Sequence, residues 1–221
     1  MSESTFLYHT SCDYCNSKDN KAVFSDGHTF CFGCNKRTNP TEDVPNMQDK
    51  YFPTATSFVS GTVSPLNKRH IDIHTAKKFN YQIGTHNKKP VQIANYYDKE
   101  GEVVAQKLRY PDKTFQWIGD AKGAGLFGQD LWRDKGKMVI VTEGEIDALT
   151  VSKLNSNKYP VVSLKTGAAG AKRDIQNSLE WLEGFETVVL MFDSDDAGRK
   201  ASVECAKVLS PSKAKIATLP L

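Results

Sequence analysis

Short apolar runs alternate with helix-like segments through the last third of the chain. The runs are rich in Val, Ile and Leu, which is typical of strands buried on both faces of a parallel sheet. The segments between them have the length of short helices, so the pattern predicts an α/β fold in which helices cover a mostly parallel sheet. We predict strands near 138–142, 159–164, 187–192 and 214–219, and helices near 145–155, 169–182 and 196–209.

The middle of the chain has a different pattern, in which apolar and polar residues alternate. Residues 91–97 and 103–110 both alternate, and the turn-forming residues 98–101 separate them, which predicts an antiparallel hairpin. We therefore expect an α+β subdomain in front of the parallel sheet. Its predicted short helix, entered near Asp72 or Thr75, carries the apolar residues Ile71, Ala76, Phe79 and Ile83.

Four of the five cysteines fall within the first 34 residues, in two Cys-x2-Cys pairs. Each pair would lie on a tight turn, and two such turns can close a tetrahedral thiolate site, so this spacing predicts zinc. Residues 22–24 and 28–30 flank a Ser-Asp-Gly turn and predict a hairpin. We expect a small β zinc ribbon whose folding energy comes from the metal. The predicted zinc ligands are Cys12, Cys15, Cys31 and Cys34.

Prolines and small polar residues dominate the stretch that follows the cysteines. Any helix between Lys36 and Pro65 would be interrupted by Pro40, Pro45, Pro53 and Pro65, which predicts a flexible linker over residues 39–64. Aromatic residues within it could instead dock on a neighbouring surface: Tyr51, Phe52 and Phe58.

Carboxylates end two of the predicted strands. Glu143 and Asp147 follow one strand, and Asp193 and Asp195 follow another about 50 residues later. Because ligands bind at the carboxyl ends of parallel strands, we expect these acids to converge at one sheet edge. Clustered carboxylates repel unless a cation lies between them, and their oxygens suit Mg²⁺ or Mn²⁺. The alternative is that such acids only cap helices, a role that fits Glu145 and Asp196.

Several cations lie on or near the predicted hairpin. Lys107 and Arg109 are two residues apart, so their side chains share one strand face. Lys113 follows closely, and Lys122 lies in the next loop. These side chains could bind phosphate oxygens, although solvated lysines on a hairpin are common.

The composition is ordinary for a globular protein, but the charge is unevenly distributed. Residues 65–135 carry thirteen basic and eight acidic side chains, whereas the whole chain has a net charge of +3. A basic segment favours contact with polyanions, although a solvated surface explains so modest an excess nearly as well. No apolar run approaches the roughly 20 residues of a membrane helix, and the N-terminus does not resemble a signal peptide. We expect a cytoplasmic protein without membrane contact.

Several motifs together resemble one family. Glu143–Asp147 and Asp193–Arg199 resemble the two signature motifs of the Toprim domain, and the zinc ribbon narrows the resemblance to DnaG-type primases. The zinc region and the basic hairpin are similar to the primase half of the primase–helicase of short-tailed lytic phages. The segments that carry this last similarity are Phe6–His9, Phe24–Cys31 and Gln106–Arg109 with Lys113.

The resemblance implies a DNA primase, which makes short RNA primers from ribonucleoside triphosphates on a single-stranded DNA template. It implies Mg²⁺ or Mn²⁺ near Glu143, Asp193 and Asp195, with Asp147 as a further or outer ligand. The hairpin cations and Lys122 would then hold nucleotide phosphates. A replicative helicase and a DNA polymerase are the implied protein partners.

The resemblance also implies that the zinc module reads the template, which makes Asp26 and His28 candidate base readers. From the residues alone, a turn-former and a neighbour of the metal-bound turn is the simpler interpretation.

Two other functions would use the same residues. A Toprim nuclease needs only the acids, and a non-catalytic, zinc-dependent adaptor would bind single-stranded DNA without turnover.

In the family the fold continues to a further acidic Asp and a helicase, whereas this chain stops at Leu221, so we expect that last acid to be missing. The predicted domains are a zinc ribbon (1–38), a linker (39–64), a basic subdomain (65–135) and a Toprim subdomain (136–221).

Overall fold

The computed structural model describes residues 4–38 and 58–218. Its contacts divide the chain into two units, Met1–Ala55 and Thr56–Leu221. Most of the predicted linker, including Tyr51 and Phe52, lies outside the described residues. Within the described part, no helix has both the length and the apolar character needed to span a bilayer.

The first unit is a small antiparallel sheet. Ala22 pairs with Phe30 and Val23 pairs with Thr29, which confirms the predicted hairpin. Among the described residues of this unit, the buried apolar side chains are two cysteines and one alanine, so there is almost no conventional core. Its four strands, in spatial and chain order, are β1 (Phe6–Thr10), β2 (Lys21–Phe24), β3 (Thr29–Cys31) and β4 (Arg37–Thr38).

The second unit begins with a five-stranded antiparallel sheet, whose strands also lie in chain order. The predicted hairpin is confirmed, with Ala94 opposite Lys107. Three strands around it had no clear sequence pattern, and one of them falls in the predicted linker, whose end therefore differs from the prediction. The strands are β5 (Gly61–Val63), β6 (Gln82–His86), β7 (Lys89–Tyr97), β8 (Val103–Arg109) and β9 (Phe115–Gly119).

A parallel sheet follows, as predicted from the apolar runs. Its spatial order is β11-β10-β12-β13, and every pair in it is parallel. Thr142 pairs with both Ser163 and Met191, so the carboxyl ends of three neighbouring strands of this sheet are level with one another. The strands are β10 (Gly136–Thr142), β11 (Val161–Ser163), β12 (Phe185–Met191) and β13 (Ala214–Ile216).

Two helix predictions were partly wrong. The first helix ends early because Asn80 adopts a positive φ, and Ile83 lies on β6 with 38% of its surface exposed. The predicted helix 169–182 is two helices, because the chain leaves helical geometry at Ser178, a residue type that favours helix ends. The helices are α1 (Ile73–Lys78), α2 (Glu145–Leu154), α3 (Ala171–Asn177), α4 (Leu179–Glu183) and α5 (Asp196–Ala206).

The parallel sheet is packed on both faces. Val139 and Val141 point into a core shared with α3, α4 and α5, which also contains Cys205. Ile140 points to the other face, where α2 and the five-stranded sheet meet in a second core containing Tyr96 and Phe127. The five-stranded sheet is thereby held beside the carboxyl ends of the parallel strands.

Candidate functional site

The four predicted cysteines of the first unit form a group that could hold a metal ion. Their sulfur atoms all lie within 4.8 Å of one another, with Cys12 3.8 Å from Cys34 and Cys15 3.6 Å from Cys31. A tetrahedral zinc site with Zn–S bonds of about 2.3 Å places its sulfurs about 3.8 Å apart. The cluster therefore fits zinc in both donor type and spacing.

Asp26 and His28 lie together on the turn between β2 and β3. An Asp26 carboxylate oxygen accepts a hydrogen bond from the His28 backbone N–H (3.1 Å) and lies 2.5 Å from the His28 ring Nδ1. The His28 ring stacks on Phe24 with centroids 4.1 Å apart. The turn thus orients the imidazole and leaves 44% of the Asp26 side chain exposed.

A cavity of about 580 Å³ in the second unit lies at the carboxyl ends of β10, β11 and β12. Three of the predicted acids line it, namely Glu143, Asp147 and Asp193. The Glu143 carboxylate accepts hydrogen bonds from the backbone N–H groups of Ala168 (3.2 Å) and Asp193 (3.3 Å). Glu143 therefore connects the loops that follow the two neighbouring strands.

The charges of these acids act on one another. The pKa of Asp147 is raised, first by the protein packed around it and then by the negative charges of Asp193 and Glu143, although part of the side chain reaches solvent. The oxygen donors fit a divalent cation chemically. Among the described residues, however, only the four cysteines form a group of three or more ligands within 4.8 Å, so no three of these carboxylates lie that close together.

Asp195 does not line this cavity. Its side chain caps α5 by accepting a hydrogen bond from the Gly198 backbone N–H at 2.8 Å. Gly198 is required here because a Cβ at that position would lie 2.2 Å from the Asp193 carbonyl oxygen. The cap and the glycine together fix the loop that carries Asp193.

The predicted cations are distributed over three places. Lys107 and Arg109 line the cavity that contains the acids. Lys122 lines a smaller neighbouring cavity of about 340 Å³. Lys113 lies on the β8–β9 turn with a positive φ and lines neither of these two cavities.

The loop after β11 is a tight strand-to-helix turn. Buried Asp174 accepts hydrogen bonds from the backbone N–H groups of Lys165 and Thr166. The Lys165 ammonium is also engaged, because it donates to the carbonyls of Ala121 and Ala124, and burial lowers its pKa. This loop presents its backbone at the cavity and keeps its lysine as a structural anchor.

The sequence pattern did not reveal that Glu145 is buried in an ion pair. Its carboxylate accepts hydrogen bonds from Lys107 Nζ (2.7 Å) and from the Tyr96 hydroxyl (2.6 Å). The only indication in the sequence was that Glu145 and Asp147, two residues apart on a predicted helix, cannot lie on the same helix face. Arg69, which also lines the cavity, comes from an irregular segment that no periodic pattern marks.

Comparison with known proteins identifies the family. Residues 61–119 match the family model described as Bacteriophage T7 DNA helicase/primase, N-terminal a+b fold, and residues 140–221 match the Toprim-like model. The crystal structure of the primase fragment of the bacteriophage T7 primase–helicase is 43% identical, with a TM-score of 0.71, and the match covers 98% of this chain and 91% of that one. This chain belongs to that phage primase family.

Two further matches add to this. The DNA helicase/primase of Enterobacteria phage T3 is 40% identical over 238 residues, and the match covers 99% of this chain but only 40% of the T3 protein. This chain therefore spans about two fifths of that relative. The E. coli primase catalytic core shares the fold, with 16% identity, a TM-score of 0.52, and coverage of 70% of this chain and 64% of the core.

Proposed function

We propose that this chain is a DNA primase that synthesises short RNA primers on single-stranded DNA from ribonucleoside triphosphates. The observation that carries the proposal is the cavity in which Glu143, Asp147 and Asp193 face the basic strand β8. Acids that can hold divalent cations, next to side chains that can hold phosphates, are the requirements of nucleotidyl transfer. Membership of the phage primase family supports the same conclusion.

Each residue group has a proposed role. Glu143 and Asp193 would hold Mg²⁺ or Mn²⁺, with Asp195 and Asp147 as further or outer ligands. The bound ions would activate the attacking 3′-hydroxyl and stabilise charge on the phosphates. Arg109 and Lys107 would bind nucleotide phosphates at the cavity, and Lys113 and Lys122 would do so from the adjoining loops.

The first unit would bring the template to this site. Zinc is the metal proposed for the four cysteines, and Asp26 and His28 would contact template bases. The linker proposed at residues 39–64, whose described end forms strand β5 of the second unit, would join this unit, 1–38, to the basic and Toprim subdomains at 65–135 and 136–221. A solved complex contains T7 lagging-strand DNA polymerase, primase domains of two gp4 subunits, an RNA/DNA hybrid and dTTP; its match is 45% identical, has a TM-score of 0.69 and covers 74% of this chain and 83% of that one. This complex supports a DNA polymerase as a partner, and the T3 relative, a helicase/primase, supports a replicative helicase. The proposed location is the host cytoplasm.

The decisive experiment mixes the protein with ribonucleotides, Mg²⁺ or Mn²⁺ and a single-stranded DNA template. Wild-type protein should make short RNA, and Glu143→Gln should abolish synthesis while DNA binding survives. Glu180→Gln, which changes an exposed glutamate on α4, is the matched control and should retain synthesis. Normal synthesis by Glu143→Gln would refute the metal assignment, cut template would indicate a nuclease, and binding without turnover would indicate an adaptor.

Template reading has its own test. His28→Ala should reduce template-directed initiation more than extension of a supplied diribonucleotide, because extension bypasses recognition. An equal loss of activity in both assays would indicate that His28 has only a structural role at the turn.

A further inference from the structure

The two strands beside the acidic cavity carry a block of alternating cations and aromatic rings. Lys107 pairs with Trp117 and Arg109 pairs with Phe115 across the β8–β9 ladder. Directly paired residues, and residues two apart on one strand, project from the same sheet face. All four side chains line the cavity that contains Glu143, Asp147 and Asp193.

The two rings differ in what they already contact. Trp117 lies 4.8 Å from Tyr96 and packs partly against the second core, so it belongs to the scaffold. Phe115 is 51% exposed, although it is a large apolar side chain within a charged cavity. Its ring is approached by the Lys107 ammonium at 4.7 Å and by the Arg109 guanidinium at 5.7 Å.

The two cations also differ. The Lys107 side chain is only 10% exposed, and its ammonium is satisfied by Glu145 and by the Lys165 carbonyl. Arg109 forms no ion pair with any residue in 4–38 or 58–218. The block therefore offers one open aromatic ring with one uncompensated guanidinium beside it.

We propose that Phe115 is a stacking platform for a nucleobase whose phosphate is held by Arg109. A base offers a π-face to the ring, and its phosphate offers paired oxygens to the guanidinium fork, so a nucleotide satisfies both groups at once. The inference rests on the proposed function, since it assigns a subsite within the same cavity. The base belongs either to a free ribonucleotide or to a nucleic-acid strand.

The test compares Phe115→Ala, Phe115→Leu and Phe115→Tyr with wild type in two binding assays without added divalent ions. One assay measures a fluorescent ATP analogue, and the other measures anisotropy of a labelled ten-nucleotide single-stranded DNA. The Ala and Leu variants should lower the affinity for one of the two ligands roughly five- to 150-fold. The Tyr variant, which keeps the ring, should bind that ligand within about twofold of wild type. The ligand that is weakened identifies the source of the base.

Two controls distinguish loss of stacking from loss of folding or of any exposed ring. Tyr159→Ala removes an exposed aromatic side chain just before β11, at its amino end, and should leave both affinities unchanged. Tryptophan fluorescence in urea checks that each variant is folded. Unchanged affinity of both ligands for Phe115→Ala and Phe115→Leu overturns the subsite, and so does equal weakening by Phe115→Tyr.

Primer synthesis by the wild-type protein is measured in parallel. If wild type makes RNA and the Phe115 variants bind normally, the subsite alone fails. If wild type makes no RNA but the Ala and Leu variants lose affinity, the primase proposal fails and the stacking subsite stands.

Discussion

The two units of this protein hold their folds by different means. The first unit buries little beyond Cys12, Ala22 and Cys31, and it leaves Phe6 and Phe32 more than half exposed. The second unit buries two large apolar clusters on either face of a parallel sheet. A small sheet without an apolar core cannot offset its loss of conformational entropy, so we propose that its stability comes from a metal ion held by the four cysteines. The second unit needs no metal to fold, and its acids can remain dedicated to the site.

The sharpest test of this difference is Cys12→Ser. Structural zinc supplies on the order of 10 kcal/mol or more to such modules, so this variant should unfold the first unit entirely. Amide NMR signals of residues 4–38 should collapse to random-coil positions, with loss of bound zinc. All three tryptophans lie in the second unit, so the urea transition followed by tryptophan fluorescence should not move.

Cys205→Ala is the reciprocal control for that experiment. Cys205 is fully buried in the core between the parallel sheet and α5, so the variant should lower the free energy of unfolding of the second unit by about 1 kcal/mol. The zinc content should stay at the wild-type value. A second unit that loses its fold in Cys12→Ser would mean that the two units are not independent in stability.

The sequence predicted the cluster of four cysteines and the parallel sheet for the same reason. In both units a local pattern is repeated, and the repeat indicates one geometry. In the first unit Cys-x2-Cys occurs twice, and in the second unit apolar runs recur and end in acids. The strands β5, β6 and β9 were missed because their pattern is set by neighbours distant in sequence. At Gly61, for example, an added Cβ would lie 2.9 Å from side-chain atoms of Gln82 and Ile93, and nothing near Gly61 in the sequence indicates this crowding.

The second unit also contains one polar contact on which its core depends, the ion pair between Glu145 and Lys107. Glu145→Ala would leave a nearly buried ammonium without its counter-charge and Tyr96 without its acceptor. Removal of one partner of such a pair costs about 3–5 kcal/mol, so the tryptophan-monitored urea midpoint should fall markedly. The double variant Glu145→Leu/Lys107→Met should recover much of that loss. If the single variant were as stable as wild type, the pair would be solvated in solution.

This ion pair shows what sequence reasoning could not reach in the site. Lys107 was identified as a phosphate-binding candidate from its strand position, but its partner lies on α2, 38 residues later. Glu145 looked like an ordinary first-turn acid, because a helix N-terminus favours any carboxylate. Only the packing of the five-stranded sheet against α2 distinguishes a buried counter-ion from a cap.

Gly198→Ala tests whether backbone spacing, independent of side-chain chemistry, holds Asp193 in place. The new Cβ would clash with the Asp193 carbonyl oxygen, so the loop would have to shift. We expect this shift to lower the free energy of unfolding of the second unit by about 1–3 kcal/mol. Primer synthesis should fall by more than tenfold because Asp193 moves. Gly101→Ala is the control, because an added Cβ there meets open space and only the positive φ is strained. It should lower the free energy of unfolding by about 1–2 kcal/mol and leave primer synthesis normal. Equal activity of the two variants would contradict the positional role.

The smallest expected effect concerns Asp72, which caps α1 in the second unit. Its carboxylate accepts the Thr75 backbone N–H at 2.8 Å, and this hydrogen bond lowers the pKa of Asp72. Asp72→Ala should cost about 1 kcal/mol at neutral pH by tryptophan-monitored urea unfolding. Because the folded-state pKa is depressed, the advantage of aspartate is fully present above its unfolded pKa of about 3.9 and is lost as pH falls through the folded value. Asp72→Asn keeps the cap without the charge. The difference in the free energy of unfolding between wild type and Asp72→Asn should therefore shrink as the pH falls, and only in that acidic range. A difference that stays constant down to the acidic limit would show that the cap does not depend on the ionised carboxylate.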